Sequence, residues 1–208
     1  MVLAGKTSEP VLAAVERSRN VVLVRPAAPA DPAHPARPAD APAVDGVAAA
    51  AGALRRAAGI SAPYVLVAAD PLAAVAAVWS AMWDLSQQTH ASDRFELRAA
   101  EALAAWRANQ FELLDYYLVL APESAAGTAE EQRPDFYLGP LRSVRPNRVV
   151  VAAAAEPAEQ AAAVRSELGS LRAGRWWPSL EEVFRTVRGF YPGALAESPD
   201  AGRATLLA

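Results

Sequence analysis

Two arginine-bearing stretches carry the residue types best suited to recognition. In Leu141-Arg142-Ser143-Val144-Arg145-Pro146-Asn147-Arg148, three guanidinium groups recur at a spacing of three. Forked donors at that spacing can clamp a phosphate or carboxylate at two points, and Asp135, Tyr137 and Asn147 lie near enough in sequence to complete a polar site. Plain charge pairing competes with that reading. Residues 94–132 hold three arginines against seven acids, whereas residues 133–208 hold ten against eight, so the two regions can neutralise one another.

The second stretch is Arg175-Trp176-Trp177-Pro178, in a short link between two expected helices. Adjacent tryptophans there cannot both point the same way. One is expected to staple the helix entry against the core. The other would stay at the surface, where tryptophan and arginine are the residues most enriched in interface hot spots. Burial of both in the core is the alternative.

Three further constellations are weaker. Gly5-Lys6-Thr7 has the letters of a phosphate loop, but such a loop needs an upstream glycine, a preceding strand and a following helix. Only Met1 to Ala4 precede the triplet and Pro10 follows closely, so a frayed terminus is expected. Ser86, His90 and Asp93 are the residue types of a hydrolase triad, yet no glycine elbow frames a serine, and a polar turn between helices accounts for them. Arg172, Arg175, Trp176, Trp177, Arg185 and Arg188 come nearest to a basic aromatic face for nucleic acid, but Glu167, Glu181 and Glu182 interrupt it.

Composition narrows the field further. The 208 residues include no cysteine, which excludes disulfides, thiolate metal sites and a thiol nucleophile. With histidine only at His34 and His90, no metal site is expected, and no cofactor motif is visible. The net charge of −3 gives no global attraction to nucleic acid or an anionic membrane. The chain has 51 alanines, and 19 arginines against one lysine, Lys6. Alanine, arginine, proline and glycine all have GC-rich codons, so arginine clusters must be discounted before they are read as sites. The N-terminus lacks a basic start followed by an apolar core, and the longest uncharged apolar stretch, Pro71 to Trp83, is too short to span a bilayer. A cytoplasmic protein is expected.

The elements that must position these residues follow from hydrophobic periodicity. Val21–Val24 is a continuous, largely β-branched run and Tyr64–Val67 a second continuous apolar run, as expected of strands buried on both faces. A helix over Val44–Ala58 lies between them and stops at Gly59, so the pair reads as a parallel βαβ unit. A short helix over Val11–Arg19 precedes them. Pro26 to Ala43 places prolines at 26, 29, 32, 35 and 38, one edge of a polyproline II helix, then at 42; a surface loop or linker is expected.

Asp70-Pro71 is an N-terminal cap for a helix carrying Leu72, Val75, Val78, Trp79, Met82 and Trp83. Asp93 and Glu96 suggest a capping pair for a helix to about Asn109 that buries Leu97, Leu103 and Trp106. Strands are expected at Leu113–Leu120, from Phe136 and at Val149–Val151, the last ones with antiparallel character. A helix from Pro157 carries Val164, Leu168 and Leu171 and stops at Gly174. Ser179 with Glu182 forms a capping box for a helix ending at Gly189.

The chain as a whole reads as a single α/β (or α+β) domain over 1–208. It has a mixed sheet of about four to five strands covered by helices, a C-terminal helical pair, and a frayed tail at 194–208. Few catalytic residue types and no phosphate or metal motif favour a non-enzymatic interaction, assembly or regulatory module within a larger complex. Its partner would be a protein or a further copy of the chain, bound through Arg175, Trp176, Trp177 and Pro178. The competing expectation is a small enzyme or ligand-binding domain that recognises an anionic metabolite through Arg142, Arg145 and Arg148.

Overall fold

Five short runs become the strands of one sheet: β1 (Val2–Gly5), β2 (Val21–Val24), β3 (Tyr64–Val67), β4 (Tyr117–Ala121) and β5 (Val149–Ala153). The computed structural model describes residues 1–5, 8–26, 44–83, 91–121, 136–154, 156–172, 174 and 176–191. The strand order is β2-β3-β1-β4-β5, and every pairing is parallel, with Val21 opposite Tyr64 and Gly5 opposite Leu120. No antiparallel pair forms among the described residues, so the expected mixed character is corrected to a fully parallel sheet.

Successive residues of a strand point to opposite faces, and here both faces are covered. Leu3, Leu23, Leu66, Leu118 and Ala152 pack on one side against Val11 and Val15 of α1 (Glu9–Glu16) and Ala161, Val164 and Leu168 of α6 (Pro157–Leu168). Val2, Val24, Val67, Tyr117 and Val149 pack on the other. There they meet α2 (Val44–Ala58), α3 (Ala73–Ala81), α4 (Ala91–Arg107) and α7 (Leu180–Arg188). The two C-terminal helices, α6 and α7, therefore lie on opposite faces. Between β4 and β5 the chain makes a π-helical turn over Tyr137–Leu141, then α5 (Arg142–Val144) and a 3-10 turn at Pro146–Arg148.

Several local expectations are corrected. The residues before Gly5-Lys6-Thr7 are not a frayed end but the central strand, too short to show a pattern; Lys6 and Thr7 lie outside the described residues. The strand expected from Phe136 is the π-helical turn, because Phe136, Tyr137 and Leu141 all point into the core and Pro140 offers no donor for a ladder. The Leu113–Leu120 strand begins only at Tyr117. The helix expected to reach Gly174 stops at Leu168.

In α4 the buried face is Phe95, Ala99, Ala102 and Ala105, while Leu97 is 56% exposed. The small alanines let α4 lie close to its neighbours, which outweighs the burial of one leucine. Asp93 falls within the first turn of α4 rather than before it. Glu96 accepts from Arg188 at 2.8 and 2.7 Å and from the Tyr191 hydroxyl at 2.6 Å. That bridge is solvent-facing and is worth at most ~1 kcal/mol. Burial of Leu180, Val183, Phe184 and Val187, at ~1.5–3 kcal/mol for each large side chain, holds α7 instead. The capping serine forms as expected: Ser179 Oγ accepts from the Glu182 amide at 3.3 Å. Of the expected proline-rich loop, residues 27–43 lie outside the described residues, as do His34, Ser86, His90, Arg175 and the tail at 194–208.

Candidate functional site

The link between α6 and α7 is fastened to the sheet near the start of β4. Trp177 is half-buried, its indole N–H donating to the Leu114 carbonyl at 2.7 Å and its ring meeting Tyr117 edge-on at 5.7 Å. This is the staple expected from one of the two tryptophans. Trp176 points the other way and remains 45% exposed.

Trp176 is nonetheless held firmly. The Arg148 guanidinium lies 4.2 Å from the centre of its ring and 4.6 Å from that of Tyr116, between the two. Arg148 also donates to the Arg172 carbonyl at 3.3 Å, and the Arg172 amide donates to the Tyr116 hydroxyl at 3.2 Å. Arg145 Nε donates to the Trp176 carbonyl at 2.9 Å. On the inner side the indole covers Gly174 so closely that a Cβ there would fall inside the ring's van der Waals surface.

The two candidate sets, 142–148 and 175–178, are thus brought together at one corner. Arg145, Arg148, Trp176 and Trp177 contribute directly, Arg142 is exposed one turn upstream on α5, and Pro178 lines the adjoining groove; Arg175 lies outside the described residues. Arg145 and Arg148 engage carbonyls and rings. Neither these two nor Arg142 and Arg172 form an ion pair among the described residues; Arg25, Arg98, Arg107 and Arg188 do, and Arg17, Arg19, Arg55, Arg56, Arg165 and Arg185 do not. Tyr116 is the member that the sequence reading missed; Arg172 entered it only in the basic aromatic face and Gly174 only as a helix stop.

Beside Trp176 runs an open groove of about 470 Å³. Trp106, Phe111, Leu113, Trp177 and Pro178 supply its apolar walls, and Arg107, Asn109 and Glu112 its polar ones. Replacing Gly174 with alanine should swing the Trp176 indole out of its stack. We expect an altered tryptophan emission spectrum and a loss of about 1–2 kcal/mol, the scale of a cation–π contact plus backbone strain. Unchanged emission and melting would refute this packing.

A second polar cluster lies past the carboxyl end of β3. Asp70 does cap the turn into α3, its Oδ1 accepting from the Leu72 amide at 2.8 Å. Its other oxygen accepts a short hydrogen bond from the Tyr137 hydroxyl, 67 residues away in sequence. The Tyr117 hydroxyl faces the same carboxyl, fully buried and without a partner at hydrogen-bonding geometry. Burial pushes the Asp70 carboxyl up to about 6, with Tyr137, the Leu72 amide and Tyr117 only partly offsetting it. The same burial, with Asp70 nearby, raises Tyr117 far above the usual phenol range.

Fold and site together define an α/β domain with a five-stranded parallel sheet and an arginine–tryptophan corner. No family model matches the chain, and no curated protein or solved structure matches it significantly. Among the described residues no helix is long and apolar enough to cross a membrane, and no group of three or more histidine, aspartate or glutamate side chains could hold a metal ion.

Proposed function

We propose that the chain is a non-enzymatic interaction or assembly module, working in the cytoplasm within a larger complex and docking a protein partner on the Trp176 corner and its groove. One observation carries the reading: a half-exposed indole is locked in place by Arg148, Arg145 and Gly174 beside an aromatic-lined groove. A large side chain held rigid before binding loses little entropy on docking, and such anchors dominate interface energetics.

Native mass spectrometry of the protein from its own host tests this. A second polypeptide, or a defined homo-oligomer, should accompany the chain. Trp176→Ala should weaken that association by about 2 kcal/mol or more with little change in melting temperature. Association that survives Trp176→Ala unchanged would count against the corner.

A second reading rests on topology. The connection leaving β1 runs through α1 on one face, and that leaving β3 runs through α3 and α4 on the other. In open parallel sheets the carboxyl edge at such a reversal is the usual place for a small ligand, and Gly5 and Asp70 both follow strands to that edge. This position is distinct from the Arg142, Arg145 and Arg148 cluster of the ligand-binding expectation, since Arg148 precedes β5 at the amino edge of the sheet. A bare chain, or one carrying a few hundred daltons of ligand, in the same spectrum would favour this second reading.

A further inference from the structure

Arg145 and Arg148 touch Trp176, Arg142 and Arg172 neighbour them in the chain or through the Arg172 carbonyl, and none of the four has an acidic partner within the described residues. We propose that the corner recognises an acidic protein segment, whose carboxylates meet Arg142, Arg145, Arg148 and Arg172 while an apolar side chain packs on the exposed face of Trp176. The proposal rests on the docking reading above and specifies the chemistry of the partner.

Charge complementarity is the argument. Arg145 and Arg148 spend part of their donor capacity on the carbonyls of Val144, Trp176 and Arg172 and keep the rest; a guanidinium has five N–H donors. The side chains of Arg142 and Arg172 are exposed and make no hydrogen bond or ion pair within the described residues. Binding a carboxylate there leaves intact every contact that holds the indole. The carbonyl contacts also fix two of the four guanidinium groups, so little side-chain freedom is lost on binding.

A nucleic acid suits the corner less well. It offers one exposed indole rather than a stacking track, the groove beside it carries Glu112, and the net charge of the chain is −3.

The test is calorimetric titration of the full chain with a synthetic ten-residue peptide of glutamates flanking two central leucines. Ten-residue oligothymidylate and citrate serve as comparison probes. We expect saturable peptide binding at low salt that weakens as salt rises. It should fall about tenfold or more in Arg142→Glu/Arg172→Glu, a variant that disturbs no polar side-chain contact among the described residues, and similarly in Trp176→Ala. Absence of binding, equal binding by the charge-reversed variant, or tighter binding of the oligonucleotide or of citrate would each overturn the proposal.

The host complex separates this failure from that of the docking reading. If the partner is lost in Trp176→Ala but retained in Arg142→Glu/Arg172→Glu, docking at the corner stands and its acidic chemistry falls.

Discussion

Asp70→Asn should make the protein more stable at pH 8, with a gain approaching ~3 kcal/mol, and should leave it almost unchanged at pH 4. The cause is the buried carboxyl, held at about 6 in the fold against an ordinary value of 3.8. A group whose folded value is raised favours folding most fully below its unfolded value, and that contribution is lost as pH rises through the folded one. Between about pH 4 and 6 the folded chain binds more protons than the unfolded chain, so wild-type stability falls over that window. The span between the two values is worth ~3 kcal/mol, an upper figure because Asp70 is only partly shielded as a residue. Asparagine retains an oxygen for the Leu72 amide and can still meet the Tyr137 hydroxyl, while the cost of burying a charge disappears.

Glu96 acts in the opposite sense. Arg188 beside it holds its carboxyl below the usual range, so its stabilisation is lost on acidification. The difference between variant and wild type isolates Asp70 from that background. Urea titrations at pH 4, 6 and 8 read it directly. A difference that stays flat across the series would mean that the carboxyl is solvated and does not lie under Tyr137 and Tyr117. A stability gain at pH 8 would also show that the chain retains a destabilising acid beside the carboxyl edge of its sheet, the pattern expected where a group serves something other than folding.

What could be read in advance depended on how far apart in sequence the determining contacts lie. Val21–Val24, Tyr64–Val67 and Val149–Val151 announce themselves because a strand buried on both faces needs consecutive apolar residues, a purely local requirement. Ser179 and Glu182 are equally local, and their cap forms. The strand Val2–Gly5 could not be read, because four residues ending in glycine show no period and only pairing with β3 and β4 makes them the centre of the sheet. Phe136–Leu141 misled for the converse reason. Its apolar run resembles a strand, and only the packing of its side chains into the core beside β4 and β5 turns it into a helical turn.

The same division holds at the corner. Trp176 and Trp177 stand out by type, and their opposite orientations follow from adjacency alone. That Arg145 and Arg148 would close on Trp176 is a matter of tertiary topology, since all of β5 and all of α6 intervene. So is the meeting of Asp70 with Tyr137. Asp70 could be recognised as a cap from Pro71 beside it, but its buried phenol partner belongs to a segment with no local signature.

The central strand supplies the severest test of the architecture. Gly5→Ala should destabilise the protein by about 2–4 kcal/mol, in the range where single substitutions threaten folding altogether. Gly5 ends β1 with φ at +86°, a conformation that side chains disfavour. An added Cβ would lie 2.7 Å from the Leu120 carbonyl oxygen and 3.4 Å from its amide nitrogen. Those are backbone atoms of the paired strand, so no rotamer change relieves the clash; β1 and β4 must separate or β1 must twist. Because β1 contributes Val2 and Ala4 to one core and Leu3 to the other, either movement loosens both faces of the sheet. Gly139→Ala provides the control, since nothing lies within 4 Å of a Cβ there and its φ is not positive. That variant should stay within about 0.5 kcal/mol of wild type. If Gly5→Ala melts with wild type and the control, β1 is not clamped against β4 at Gly5, and the sheet order derived from that pairing fails with it.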